Sequence, residues 1–301
     1  MTGRIGLTRQ QLRSLARISN RRSIGRLTAH LGLIAASGTL VWLCRPGAWM
    51  IPAMAVHGAL LVFLFAPLHE SVHRTVFSGR RANDLLAFAL GLPLLLPPTW
   101  FRLFHRDHHR FTQDPERDPE LAVPRPASRL ALLWHLSGLP YWAAAVDGLV
   151  CQALGRAAAP FVPPREERRV ARDARLYLAI YAAIAVASFA AGSTAVLWLW
   201  VMPALLGQPL LRVFLLSEHV DLPYGRDMLA NSRTTRTLAP VRWIAWNMPF
   251  HAEHHAYPAI PFHALPAAHR QIAGRLPSVA PGYLRTTRAA WTMRPWRAGQ
   301  E

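Results

Sequence analysis

Four stretches of this 301-residue chain are apolar over close to the length needed to cross a bilayer: residues 28–44, 48–68, 174–191 and 194–216. A hydrocarbon core about 30 Å thick takes ~20 helical residues to cross. Backbone groups inside it must be satisfied within the segment, so runs of this composition are expected to be helices. The turn Arg45-Pro46-Gly47 joins the first two runs and Gly192-Ser193 the last two, so each pair reads as a hairpin. Two further apolar runs differ. Residues 84–98 are short and hold Pro93, Pro97 and Pro98, and residues 130–154 are broken by His135, Pro140 and Asp147. Both are predicted to be re-entrant or interfacial.

The chain carries a net charge of +18 although 52% of it is hydrophobic, and these facts agree only if charge and apolar surface are segregated. Its 34 basic residues are all arginine, the mark of a GC-rich, bacterial codon usage. They flank apolar runs instead of gathering on a soluble module with groove-reading elements, which argues against nucleic acid as a partner. They concentrate in residues 1–27, in the loop 69–173 and in the tail from 217. The positive-inside rule makes that side cytoplasmic, in a bacterial inner membrane. The expected organisation is a basic cytoplasmic segment over residues 1–27 followed by one membrane domain over residues 28–301. Cys44 and Cys151 lack CxxC spacing, which excludes a disulfide framework or thiol redox motif.

Eight of the 14 histidines fall in three clusters on that same side: His69-Glu70-Ser71-Val72-His73, His105-Arg106-Asp107-His108-His109 and His251-Ala252-Glu253-His254-His255. Residues three and four apart share a helix face, so each cluster is expected to turn two or three imidazoles to one point. Eight are too many for one zinc, which takes about four ligands, and two metals are the economical reading. Imidazole suits iron, copper, zinc and nickel alike, so the number of metals is better defined than their identity. The expected fold is all-α: four transmembrane helices in two hairpins with a cytoplasmic, histidine-rich helical cap.

The order HxxxH, HxxHH, HxxHH around two hairpins resembles the membrane fatty acid desaturase and hydroxylase family, over about residues 50–270. The resemblance implies two irons held by His69, His73, His105, His108, His109, His251, His254 and His255, with His219 at the end of the fourth span as a ninth ligand. Leu215 stands where some animal members carry an asparagine, so a tenth ligand is not counted. The three-residue gap in the first cluster is similar to acyl-lipid and sphingolipid members. Asn231-Ser-Arg-Thr-Thr235 with Asn247-Met-Pro-Phe-His251 resembles a bacterial subgroup that includes dihydrorhizobitoxine desaturase. Implied with the family are dioxygen as co-substrate, a fatty acyl or acyl-like lipid as substrate, desaturation as the reaction, and hydroxylation or ketolation of a lipid or carotenoid-like substrate as the alternative. No His-Pro-Gly-Gly haem motif, iron-sulfur spacing or nucleotide loop is found in the sequence, so electrons are expected from an external carrier such as ferredoxin.

Other readings attach to single residues. His69-Glu70-Ser71-Val72-His73 also satisfies HExxH, the zinc-protease motif with glutamate as general base, with Asp147 as a third ligand; it leaves the other clusters unexplained. A metal transporter would hold its site near the bilayer midplane, not at span ends. His57, mid-span, is expected to make a helix-to-helix hydrogen bond, while His30, His135, His263 and His269 are assigned to interface or surface. Glu70, Asp107 and Glu253 either accept the second ring N–H of a ligand or are solvated loop acids. Asp114, Asp118 and Glu120 read as turn chemistry in a loop after the second cluster, with hydrogen bonding to a ligand ring as the alternative. Trp100 and Trp246 are expected at the membrane interface.

Overall fold

The computed structural model describes residues 6–123, 126–225 and 227–292. The first five residues of the basic segment and the last nine of the domain expected to reach residue 301 lie outside the described residues. Fourteen α-helices are described, with one parallel pair of two-residue strands, Thr234–Thr235 and Val279–Ala280.

Helix α1 (Arg9–Leu15) opens on a reciprocal cap: Gln11 N donates to Thr8 Oγ1 and Thr8 N to the Gln11 side chain. Helix α2 (Asn20–Leu43) is capped by Ser19. It begins eight residues before the predicted run, because an arginine-rich turn continues a helix as readily as an apolar one. Helices α3 (Met50–Val62) and α4 (Phe65–His73) form one 24-residue span interrupted at Phe63–Leu64, the most buried of the four. Arg74 ends it in the left-handed region (φ 62°).

Helices α5 (Arg80–Gly91) and α6 (Pro98–Phe111) meet at a bend of 97°. The Pro97-Pro98 pair bars helix from the preceding residue and starts a new one, so the run expected to be re-entrant or interfacial is bent, in the geometry of a broken span or a re-entrant loop. Helices α7 (Arg129–Leu136) and α8 (Leu139–Ala153) meet at Gly138, and each is shorter than a span. Helix α9 (Pro164–Ala190) is the third span, and a π-helical turn, Leu197–Val201, leads into α10 (Met202–His219), the fourth. Helix α9 packs on α8 and α6, and Tyr181 reaches Trp200 beside the start of α10. Four short helices follow: α11 (Ala239–Ile244), α12 (His251–Ala256), α13 (Leu265–Ile272) and α14 (Tyr283–Thr292).

The centre of the bundle is the contact of α3 with α10, made at glycines. A Cβ on Gly58 would sit 1.9 Å from the Pro203 carbonyl oxygen, and one on Gly207 would sit 2.3 Å from Gly58 backbone atoms. Small residues let membrane helices approach closely enough for dispersion to hold them. Gly58→Ala should therefore force the two spans apart, destabilising by about 3 kcal/mol, the upper end for overpacking. The check is thermal unfolding of detergent-purified protein, and an unchanged midpoint would contradict this packing. Next to Gly58, His57 Nε2 donates to the Leu199 carbonyl (3.0 Å) and its Nδ1 accepts from Ser37 Oγ (2.8 Å), the helix-to-helix role expected of it.

The principal core lies at the histidine-bearing end of the spans, where Val62, Phe63 and Phe214 meet Trp246, Ile260, Phe262 and Leu265 from the tail. Trp246 is thus not at the membrane interface: it is fully buried, with Nε1 donating to His30 Nδ1 at 3.2 Å. His30 is likewise buried, not superficial, and its Nε2 meets the Leu60 carbonyl. The reason is the same for both. The tail folds back over the span ends and covers them.

Candidate metal centre

The nine predicted histidines converge, in two groups. His69, His73, His105, His109 and His254 form one, and His108, His219, His251 and His255 the other, with the ring nitrogens of each lying within 4.8 Å of one another. Each HxxHH cluster was expected to face one point, but it serves both groups. Positions i and i+4 (105/109, 251/255) stay together, while the histidine at i+3, about 60° away around the helix, goes to the other group. The groups adjoin: the His109 and His255 rings stack at 4.1 Å.

In the four-histidine group each Nδ1 faces an oxygen outside the group. His108 Nδ1 lies 3.0 Å from Asp118 Oδ1, His219 Nδ1 3.0 Å from the Asn231 carbonyl, and His251 Nδ1 3.1 Å from Glu218 Oε1. His255 Nδ1 lies 3.2 Å from Thr112 Oγ1, whose hydroxyl proton goes to the His108 carbonyl. The oxygens at His108, His219 and His255 accept, so in the neutral form the proton of these three rings sits on Nδ1 and the Nε2 lone pair turns inward, whereas His251 Nδ1 lies near Glu218 without hydrogen-bonding to it. His219 Nε2 and His251 Nε2 then face each other at 2.9 Å, and His255 Nε2 is buried without a partner. The inward lone pairs of His108, His219 and His255 repel one another unless a cation lies among them. The donor set therefore fits a metal ion.

The five-histidine group converges the same way. His73 Nε2 lies 2.9 Å from His105 Nε2 and 3.2 Å from His254 Nε2, and His109 Nε2 lies 3.0 and 3.2 Å from the same two atoms. Nδ1 of His69, His109 and His254 is buried without a protein partner among the described residues. In the tail cluster, burial first and neighbouring histidines second hold His251, His254 and His255 well below the ordinary histidine range. They are neutral at physiological pH, the form in which imidazole binds metal.

The acids inside the clusters do not serve the ligands. Glu70 accepts from Thr75 Oγ1 (2.7 Å) and from Phe262 N (3.1 Å), Glu253 meets Thr234 Oγ1 and His269 Nδ1, and Asp107 pairs with Arg106. His269 is accordingly not a surface residue but a strut between α13 and α12. The protease reading loses its general base, since Glu70 points into the tail and His69 and His73 join three other histidines. The histidine partners come from elsewhere, from Asp118, Asn231 and Thr112. Asp118, read first as turn chemistry, also shapes the turn, accepting from Gln113 N and Glu120 N. Arg233 ties down the end of α10 through the Ser217 and Val220 carbonyls at 2.8 and 2.7 Å.

The fatty acid desaturase profile matches residues 41–287, which takes in all nine histidines. The chain belongs to the fatty acid desaturase family. It is 28% identical over 252 residues to a sphingolipid delta(4)-desaturase/C4-monooxygenase from Rattus norvegicus, covering 78% of this chain and 70% of that protein. It is 24% identical over 267 residues to an sn-1 oleoyl-lipid 12-desaturase from Picosynechococcus sp., covering 82% of this chain and 75% of that protein. This member of the family is thus an integral membrane oxidoreductase of the lipid desaturase or oxygenase type, with two histidine clusters compatible with metal.

Proposed function

We propose that the nine histidines hold two irons, five around one and four around the other, and that the enzyme desaturates a fatty acyl or acyl-like lipid chain with dioxygen as co-substrate and electrons from an external carrier such as ferredoxin. The observation that carries this reading is the sorting of nine ring nitrogens into two adjoining groups at the ends of two apolar spans. When bound, the two irons supply dioxygen-dependent oxidation of an unactivated C–H bond. The protein's part is positional. Asp118, Asn231 and Thr112 fix three rings by their Nδ1 protons, which sets ligand direction and raises ligand basicity. The covering tail, sealed by Trp246, Phe262 and the Glu253–His269 contact, keeps bulk water from the groups. The apolar spans give a hydrocarbon access from the bilayer, with the site at their edge. By arginine placement, that edge is cytoplasmic.

Hydroxylation is the second reading, favoured by the monooxygenase half of the rat relative's name. The two outcomes diverge by whether a second hydrogen is removed or oxygen is transferred, and a barrier difference of about 1.4 kcal/mol shifts the ratio tenfold. Lipid extracts from cells with and without the gene, compared by mass spectrometry, are expected to contain a product two hydrogens lighter than its precursor. A product heavier by one oxygen would replace desaturation with hydroxylation.

A further inference from the structure

Beside the histidine-bearing end of the spans, and separate from both histidine groups, an open groove of about 600 Å³ lies between the first turns of α2 and the tail. Arg21, Arg22, Gly25 and Arg26 line it from α2, and Trp243 and His263 from the tail. Residues 21, 22, 25 and 26 form one strip of the helix face, so three guanidinium groups look into one space. No carboxylate lines the groove, and none of the three arginines makes a salt bridge among the described residues. Arg26 is already positioned: its Nη1 donates to the Trp243 carbonyl at 2.7 Å, and its guanidinium lies 4.8 Å from the Trp243 ring centre. Arg22 Nη1 lies 3.4 Å from His263 Nδ1. Since arginine only donates, that nitrogen accepts and the ring proton sits on Nε2, which has no partner. Burial and Arg22 hold His263 at about 4, so it stays neutral.

The groove also has a defined depth. Ile24, Leu31 and Leu33 are exposed on the same helix, so the outward surface of α2 turns apolar at the level of these arginines. This is where lipid headgroups lie. We propose that the groove is a binding site for the phosphate of an anionic phospholipid headgroup, gripped by Arg21, Arg22 and Arg26 against the Trp243 wall. Planar guanidinium groups suit phosphate oxygens, and the lipid's chains would run down the exposed face of α2.

The test uses full-length protein in detergent, with native mass spectrometry counting retained lipids. Wild type should keep one phosphatidylglycerol per chain, about tenfold more tightly than phosphatidylcholine. Arg21→Gln with Arg22→Gln should abolish that preference, as each basic side chain near an anionic surface contributes measurably. Gly25→Leu is the second variant. A Cβ there meets nothing within 4 Å, so the side chain fills the groove without removing charge or straining the fold, and it should lower retention by a similar factor. Thermal unfolding run alongside shows whether either variant is misfolded. Retention unchanged in a folded Gly25→Leu protein would overturn the proposal. So would displacement of the lipid by millimolar glycerol 3-phosphate, or tighter binding of a long-chain acyl-CoA, because either would mean the groove takes a soluble phosphate compound.

Discussion

His108→Ala and His254→Ala are each expected to reduce lipid oxidation by more than about a hundredfold, beyond the 10–100-fold typical for losing only the hydrogen-bond partner of a ligand. Metal content should separate them. His108 belongs to the four-histidine group and His254 to the five-histidine group, so the first variant leaves three imidazoles around its metal and the second leaves four. Wild-type protein should carry two irons per chain, with His108→Ala losing more iron than His254→Ala. Both sites are fully buried, so stability must be followed in parallel, since an alanine there also opens a cavity. Two irons retained in both variants would refute the ligand assignment. A wild-type chain holding one zinc and no iron would refute the diiron reading itself.

The parts of the site that were readable from sequence obey one rule, helical spacing. His69 with His73, His105 with His109 and His251 with His255 are each four apart, and each pair stays in one group. The same rule, applied to the acids, explains why they fail as partners. Glu70 is one residue past His69 and so about 100° around the helix, facing Phe262 and Thr75 instead of the histidine groups. Glu253 is two past His251, on the opposite side, where it meets Thr234 and His269. His219 came only from resemblance, because a lone histidine ending a span has no periodic signature.

What spacing does not carry is the return of the chain. Asn231 and Trp246 owe their positions to a tail that closes over the span ends, with Asn231 Nδ2 donating to the Thr112 carbonyl 119 residues away in sequence. Nothing local announces such contacts. A tryptophan next to an apolar run is more often interfacial than buried, and it took the tail's packing on Val62, Phe63 and Phe214 to reverse that for Trp246. The four spans were clearer in their apolar middles than in their ends, since α2 and α9 both begin in arginine-rich turns that hydropathy leaves out.

Asp118→Ala is the variant that tests the outer ring of the site, with an expected 10–100-fold loss of iron affinity or activity. Asp118 is buried, and one oxygen meets both His108 Nδ1 and Glu120 N while the other meets Gln113 N. It therefore fixes a ring of the four-histidine group, and it also folds the loop that follows α6. Asp118→Asn separates those roles. With its carbonyl oxygen toward His108 and Glu120, the amide nitrogen must face the Gln113 N–H, donor against donor, costing about 1–3 kcal/mol of loop stability while keeping His108 Nδ1 protonated and oriented. The alanine variant should thus release iron to a chelator well before wild type, and the asparagine variant should lose stability but release iron closer to the wild-type point. Equal chelator curves for all three proteins would mean that Asp118 only shapes the loop, as its place among Pro115 and Pro119 alone would suggest.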